Sequence, residues 1–263
     1  MNFLISMKTS LKIFFVLISA INLAFAQGTA GEKAKHEYRF LVDMPTAGIL
    51  EKGFVGVNTD ILPNGVLDVA IEAGVFDNVS FGISYGGSNL IGTGKVDWYK
   101  LPGVNLRVRI VNETTLIPAI TLGFDSQGKG NYIDSLSRYE IKSPGFFGAV
   151  SKNFEFLGYL SLHGTINYSL EQKDGDNFAD IRVGAEKTLG SSFSLVVEYD
   201  LAFNDDKKSS VATGRGYLNT GIRWSVGDGL TLGFDLRDLL SNKSNTKYAA
   251  DRSLKIEFIK SIF

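Results

Sequence analysis

The stretch Val79–Tyr85, VSFGISY, alternates apolar and small polar residues and so predicts a β-strand with two unlike faces. Its Val, Phe, Ile and Tyr side chains share one face and its Ser and Gly residues share the other, because side chains in a strand point alternately to opposite sides. The same alternation returns in residues 104–110 and 160–169. It fits either a half-buried sheet of a soluble protein or a strand that crosses a membrane.

Twelve such segments follow one another, and clusters of Gly, Asn, Asp and Ser separate them as turns do. The predicted strands are 52–60, 65–75, 78–85, 103–111, 115–125, 145–153, 157–170, 177–187, 192–203, 214–226, 229–238 and 252–262. The fold class is therefore all-β, in a single domain.

The connections between these strands alternate in length. Those after odd-numbered strands are 61–64, 86–102, 126–144, 171–176, 204–213 and 239–251; those after even-numbered strands are 76–77, 112–114, 154–156, 188–191 and 227–228. Apart from the first, every odd connection is longer than every even one. Short turns at one end and long loops at the other are typical of transmembrane up-and-down antiparallel barrels. With twelve strands, both termini then lie on the periplasmic side.

The two faces of the strands differ in polarity in the way that a membrane barrel requires. One parity is almost free of charge, and a basic side chain facing lipid at midplane costs about 2–4 kcal/mol. The other parity carries the predicted lumen-facing charge network: Asp68, Glu72, Arg107, Arg109, His163, Asp180, Arg182, Glu186, Glu198, Asp200, Arg223, Asp235 and Arg237. We therefore predict an outer-membrane barrel, with a secreted or periplasmic β-sandwich as the alternative.

The amino terminus has the pattern of a cleaved signal peptide over residues 1–26. Lys8 and Lys12 precede an apolar run, and Ala24-Phe25-Ala26 supplies the small-x-small cleavage pattern. We expect a periplasmic lead-in over residues 27–50, whose first part, residues 27–36, is small, charged and mobile and whose residues 38–43 form a short strand. The barrel is predicted over residues 51–263. No later apolar run is long enough for a membrane-spanning helix, which needs about 20 residues.

Charge and composition exclude several partners. Without Lys8 and Lys12 the chain has 25 of its 27 Lys and Arg residues against 28 Asp and Glu, a formal charge near −3. There is no basic run, so a nucleic-acid partner is not predicted. The chain has no cysteine and hence no disulfide or lipid attachment through a thiol. The predicted partner is outer-membrane lipid.

Residues that could carry catalysis or bind a metal are few. The histidines are His36, in the lead-in, and His163, on the polar face of a strand. A lipase-like serine would need a base within hydrogen-bond reach, and the neighbours Ser161 and Thr165 lie roughly 7 Å away along the strand. We predict no enzyme, no cofactor and no metal site. The acidic stretches 174–177 and 204–206 are interpreted as solvated turns, with weak calcium binding as the alternative.

Several short motifs lie between residues 118 and 154. They are Pro118–Ile120, Gly123–Gly128, Lys142–Phe147 and Ser151–Phe154, preceded by Pro45–Gly48 and Pro63–Gly65. With these motifs the chain resembles the YjbH type of bacterial outer-membrane β-barrel over about residues 45 to 240. The resemblance implies a barrel fold and a role in producing or exporting extracellular polysaccharide, with polysaccharide or export machinery as partners.

The sequence leaves three functions open. The first is a non-enzymatic envelope protein that serves polysaccharide secretion or envelope organisation; the second is a narrow channel for small hydrophilic solutes; the third is a lipid-modifying enzyme. The charged interior likewise has two interpretations. Opposite charges on adjacent strands lie about 5 Å apart, so they either fill and stiffen a closed barrel or line a polar conduit.

Overall fold

The computed structural model describes residues 36–205, 216–243 and 250–262, so the predicted signal peptide lies outside the described residues. Within them almost all regular structure is β-strand. The strands are β1 Phe54–Leu62, β2 Val66–Phe76, β3 Val79–Ser88, β4 Asp97–Trp98, β5 Gly103–Val111, β6 Ala119–Asp125, β7 Lys129–Ile133, β8 Arg138–Ile141, β9 Gly145–Glu155, β10 Tyr159–Tyr168, β11 Asp180–Leu189, β12 Phe193–Asp200, β13 Tyr217–Gly227, β14 Leu230–Arg237 and β15 Asp251–Ser261.

Twelve of these strands close into one antiparallel barrel. Each pairs with the next long strand along the chain, and β1 pairs with both β2 and β15, so the sheet has no free edge. Closure is what allows a sheet to lie in hydrocarbon, since every backbone N–H and C=O in the wall finds a partner within the wall. The predicted twelve-stranded transmembrane barrel is confirmed. The two-residue β4 only extends β3, and β7 and β8 form a separate hairpin.

The predicted asymmetry of the connections is also present. We call the end that carries the connections 63–65, 89–102, 126–144, 169–179, 201–216 and 238–250 the long-loop end, and the other the short-turn end. Several predicted strands are shorter than expected: 157–170 is strand over Tyr159–Tyr168, 192–203 over Phe193–Asp200, and 115–125 only from Ala119. Pro118 has no N–H to donate to a ladder, and the chain before it turns on a hydrogen bond from Thr114 N to Ile117 O of 2.9 Å. Leu116, predicted on the outer face of a strand, lies in that turn.

The barrel is apolar outside and polar inside, the reverse of a soluble protein. Large apolar side chains on the outward parity are exposed, for example Val183 at 49% and Ile222 at 47%, whereas charged side chains on the inward parity are buried. An exposed apolar band of this extent marks a surface that faces lipid. The described residues hold no helix of the length and hydrophobicity that crossing a membrane would require.

The structure places the last part of the predicted lead-in, residues 38–50, within the barrel instead of in the periplasm beside it. Residues Tyr38–Leu50 lie inside the barrel, and we call them the lumen segment. All are buried except Phe40, which is half-buried. The physical reason is the polarity of the lumen. The backbone and the charged side chains of the segment form hydrogen bonds and ion pairs with the charged side chains of the inner wall.

Inside the barrel the lumen segment turns back on itself. The predicted strand at 38–43 is instead one arm of a tight turn: Leu41 N donates to Met44 O at 3.1 Å, and Thr46 N donates to Arg39 O at 3.0 Å. The return arm passes so close to the first that a Cβ at Gly48 would lie 2.2 Å from Tyr38 O. A glycine is therefore required at this crossing.

The connection 126–144, predicted as an external loop, folds into the β7–β8 hairpin across the long-loop end. Its Tyr139 packs edge-on against Tyr99 at 4.9 Å between ring centroids, over buried Leu62 and Val66. Its Arg138 reaches the connection after β12, where Nη1 donates to Asp205 Oδ1 at 2.6 Å. The hairpin thus contacts both sides of the barrel across the long-loop end.

If the outward-facing side chains contact lipid, a charge introduced among them should destabilise the barrel by an amount that depends on its depth in the membrane. Val183→Arg, near the middle of β11, should lower the free energy of unfolding by about 2–4 kcal/mol, and Leu189→Arg, on the same face at the strand end, by about 0–1 kcal/mol. The measurement is denaturant unfolding in lipid vesicles, followed by tryptophan fluorescence. Equal losses for the two variants would contradict the assignment.

Candidate functional site

The structure places every residue of the predicted charge network on the inner wall, buried from solvent. Their exposed fractions are all below a tenth. They are Asp68, Glu72, Arg107, Arg109, His163, Asp180, Arg182, Glu186, Glu198, Asp200, Arg223, Asp235 and Arg237. What the sequence did not reveal is their main partner, which is the lumen segment.

Glu198 on β12 holds the turn of the lumen segment by its backbone. Its carboxylate accepts N–H groups from Val42 at 2.9 Å, Asp43 at 2.9 Å and Met44 at 3.0 Å. Asn219 Nδ2 donates to the same carboxylate at 2.8 Å. The residues at the tip of a turn have no partners of their own for these N–H groups, so one anion on the wall satisfies three donors that would otherwise be buried unpaired.

The carboxylate of Asp43, at the tip of the turn, lies among basic groups of the wall and of the β7–β8 hairpin. Arg237 makes a two-point contact, with Nε 2.9 Å from Asp43 Oδ2 and Nη2 2.9 Å from Oδ1. Lys129 Nζ, from the β7–β8 hairpin (called the loop hairpin below), lies 3.6 Å from Asp43 Oδ1. Arg182 donates to the backbone oxygen of the same residue at 3.0 Å. A bidentate pair of this kind fixes orientation as well as charge.

The return arm of the lumen segment is held through its carbonyl oxygens. Ala47 O accepts from Arg109 Nη2 at 2.7 Å and from Thr121 Oγ1 at 2.6 Å. Arg107 Nη1 donates to Thr46 O and to Gly48 O, both at 3.2 Å. The first arm is held in the same way where Arg223 donates to Leu41 O.

Arg107 departs most from the expected cross-strand charge pairing. No carboxylate of the described residues lies within ion-pair distance of it, and its Nε and Nη2 atoms have no hydrogen-bond partner there. Instead, its guanidinium lies 4.6 Å from the ring centroid of Phe40 and 5.1 Å from that of Phe147. The two aromatic faces stabilise this buried cation by cation–π contact.

Pairs within the wall exist but are fewer than predicted. Arg182 Nε lies 3.1 Å from Asp180 and 3.0 Å from Asp200, and Arg223 pairs with Asp235. Glu72, by contrast, pairs with Arg39 of the lumen segment at 2.8 Å. The network therefore crosses the lumen from wall to segment as much as it follows the wall.

A cavity of about 80 Å³ remains beside the lumen segment. Its lining carries both signs of charge. Lys129 Nζ lies 2.6 Å from Asp60 Oδ2, and Lys255 lies 3.8 Å from the other oxygen of the same carboxylate. Asp68, opposite Asp60 in the β1–β2 ladder, is buried with Oδ1 unbonded to any described residue.

His163 has a serine partner that the sequence did not reveal. Ser151, its register neighbour on β9, places Oγ 2.7 Å from His163 Nδ1. The predicted neighbours on its own strand were too far away, and strand register could not be known from sequence. Ser151 Oγ also accepts Ala47 N at 3.0 Å, and His163 Nε2 bonds to no described residue. The pair lies beneath the lumen segment and lacks an acidic third member to orient the imidazole.

The two acidic stretches at the long-loop end come together as Asp174, Asp176 and Asp205. They are not solvated turns, because basic groups of the loop hairpin neutralise them: Asp174 lies 2.8 Å from Arg138 and 2.7 Å from Lys142. Burial raises the pKa of Asp174, but hydrogen bonds from Lys142 and from the backbone N–H of Asp176 outweigh it, and the net pKa is lower than usual. These ion pairs fasten the hairpin across the long-loop end.

Sequence reasoning missed the segment itself, together with Ser151, Asp60 and Lys129. One signal was present: residues 41–50, LVDMPTAGIL, are more apolar than a solvated lead-in needs to be. Taken together, these features define a class of protein. It is a transmembrane β-barrel of the outer-membrane type whose lumen is occupied by its own preceding segment.

Comparisons with known proteins gave matches among solved structures. No protein-family model matches the chain, and no curated protein sequence does either. Among solved structures, the chain is similar to the KdgM porin (8% identity, 80% of this chain and 99% of that one, TM-score 0.48) and the NanC porin (8%, 80% and 100%, 0.42). The chain is also similar to a mutant of the Rh. blastica porin, with 11% sequence identity, coverage of 76% of this chain and 57% of that one, and a TM-score of 0.32. The solutes of those proteins are not transferred to this one.

The anchoring of Asp43 predicts how the lumen segment loosens. Because the chain has no cysteine, Val42→Cys is a single reporter for exposure of the segment. Adding Asp43→Asn should speed thiol labelling at that position at least about tenfold, since breaking a buried ion pair typically costs 3–5 kcal/mol. Asp77→Asn, in an exposed turn, is the control and should leave the rate unchanged. An equal rate in all three proteins would contradict the anchoring.

Proposed function

We propose that the protein is an outer-membrane channel for small hydrophilic solutes, held closed in this conformation by its lumen segment. The observation that carries the proposal is that the segment contacts ten strands of the wall through polar groups without belonging to the wall. The contacts are with residues of β2, β5, β6, β9, β10, β11, β12, β13, β14 and β15.

The chemistry of these contacts favours a removable obstruction over a permanent core. Among the described residues, buried apolar side chains of segment and wall form two small clusters, Leu41, Val42 and Met44 on Val196, and Ala47 among Ala119, Phe147 and Ala149. The rest are hydrogen bonds and ion pairs, most of them to charged groups. Their net contribution is about 1.5–3 kcal/mol each, because water replaces both partners when the segment leaves. When the segment leaves, the wall that it uncovers is lined with charges of both signs, as suits hydrated solutes.

The direction of opening follows from the chain path. Residue 50 leads into β1, whose first residue lies at the short-turn end, so the lumen segment enters and leaves the barrel there. In our proposal this end is periplasmic, as are both termini, after export directed by a signal peptide over residues 1–26. The segment would then withdraw toward the periplasm, away from the loop hairpin at the other end.

The two other functions have less support. A role in polysaccharide secretion follows from the YjbH resemblance alone, and no contact among the described residues bears on it. A lipid-modifying activity would need a nucleophile facing acyl chains, whereas Ser151 and His163 face the lumen beneath the segment. Lipid remains the proposed partner of the outer surface.

Conductance in planar bilayers tests the proposal. The wild type should be almost silent, and deletion of residues 40–45 should give stable single-channel currents because the turn no longer crosses the lumen. Asp43→Asn should give intermittent openings, and Asp77→Asn should behave as the wild type. Folding of each variant is checked by its faster migration on gels before boiling.

A folded deletion variant that conducts no more than the wild type would overturn the proposal. If the deletion variant does not insert, the comparison between Asp43→Asn and Asp77→Asn decides the question alone. Equal silence of these two, with Asp43→Asn shown to be loosened by thiol labelling, would also overturn it.

A further inference from the structure

We propose that the inner wall is a binding site for short peptides that fold back in a turn and carry one acidic side chain, and that the lumen segment occupies this site as an internal mimic. The inference rests on the proposed channel function and names the class of solute. It comes from the kind of atoms that the wall binds, which are those of a peptide backbone.

The wall supplies donors for most carbonyl oxygens of the segment. Seven successive or nearly successive residues are held in this way, each by a side chain of a strand. They are Leu41 by Arg223, Asp43 by Arg182, Pro45 by Thr165, Thr46 and Gly48 by Arg107, and Ala47 by Arg109 and Thr121, with Lys255 3.5 Å from Val42 O. Such a row fits any polyamide, because every residue offers the same acceptor.

The wall also supplies acceptors for N–H groups, and this excludes a simple anion site. Glu198 takes three consecutive N–H groups, and Ser151 takes the N–H of Ala47. A small dianion has no N–H to offer and would meet the Glu198 carboxylate as a like charge. Donors and acceptors on one wall, at the spacing of a backbone, are complementary to a peptide.

Side-chain selectivity is confined to few positions. Arg237 and Lys129 form a pocket for one carboxylate, at the place of Asp43. Gly184 leaves room for an apolar neighbour, since a Cβ there would lie 2.4 Å from Leu41 Cδ1. A ligand therefore needs an acidic residue with an apolar residue near it, and tolerates other sequences elsewhere.

The lumen segment has an advantage over any free peptide because it is tethered to β1. A short tether gives an effective concentration of about millimolar. In the wild type a free peptide therefore competes poorly, and weakening the segment's own anchor should uncover the site. This makes Asp43→Asn, which leaves every wall residue intact, the variant of choice.

The test measures fluorescence anisotropy of a labelled peptide, RFLVDMPTAG with blocked ends, on the full chain in detergent. Asp43→Asn protein should bind it at least about tenfold more tightly than wild type, as loss of a bidentate charged contact implies. A peptide with Asn in place of Asp should bind more weakly, and so should one with ester bonds in place of the three amides that donate to Glu198. Excess succinate should not displace the peptide.

Binding of the ester peptide as tight as that of the amide, or displacement by succinate, would reduce the site to anion binding and overturn the proposal. So would absence of binding to folded Asp43→Asn protein. If that variant does not fold, the peptide is added at about 10 mM, above the effective concentration of the tethered segment, to the Val42→Cys protein. It should then accelerate thiol labelling, and no acceleration at this concentration overturns the proposal. Because binding in detergent needs no current, a protein that binds but never conducts refutes the channel and not the peptide site.

Discussion

A membrane barrel must place its charged side chains inside, and a buried charge without a partner is expensive. This constraint shapes the rest of the molecule. The wall alone pairs some of its charges, as at Arg182 with Asp180 and Asp200, but leaves others without a carboxylate, Arg107 above all. The lumen segment supplies what is lacking: backbone oxygens for the arginines, N–H groups for Glu198, and a carboxylate at Asp43 for Arg237.

The same interactions that satisfy the wall also close it. The segment crosses from β5 on one side to β12 on the other, and a cavity of about 80 Å³ remains beside it. Closure is nevertheless built mainly from polar contacts, which water can replace when the segment leaves, and this distinguishes it from an apolar core. The β7–β8 hairpin, fastened by Arg138 and Lys142, lies across the opposite end and is held by separate interactions.

Much of the fold could be predicted from the sequence because its signals are local. Strand alternation, turn residues and loop lengths need only neighbouring residues, and they gave the barrel, its strand number and the side on which Arg107 or Glu198 lies. The partners of those residues could not be predicted in this way. The pairing of His163 with Ser151 depends on strand register, and the position of residues 38–50 depends on contacts more than a hundred residues away, such as that of Val42 with Glu198. A periodic pattern in the sequence does not predict contacts between residues so far apart.

The most direct measurement of the central claim is a disulfide between segment and wall in native outer-membrane vesicles. Ala47 N lies 3.0 Å from Ser151 Oγ, so cysteines at these two positions should oxidise almost completely and shift the band on an unreduced gel. The control pair is Ala47→Cys with Ser194→Cys. Ser194 faces the lumen from β12, and this pair should stay reduced. No disulfide in the first pair, or equal disulfide in both, would contradict a segment bound inside the barrel.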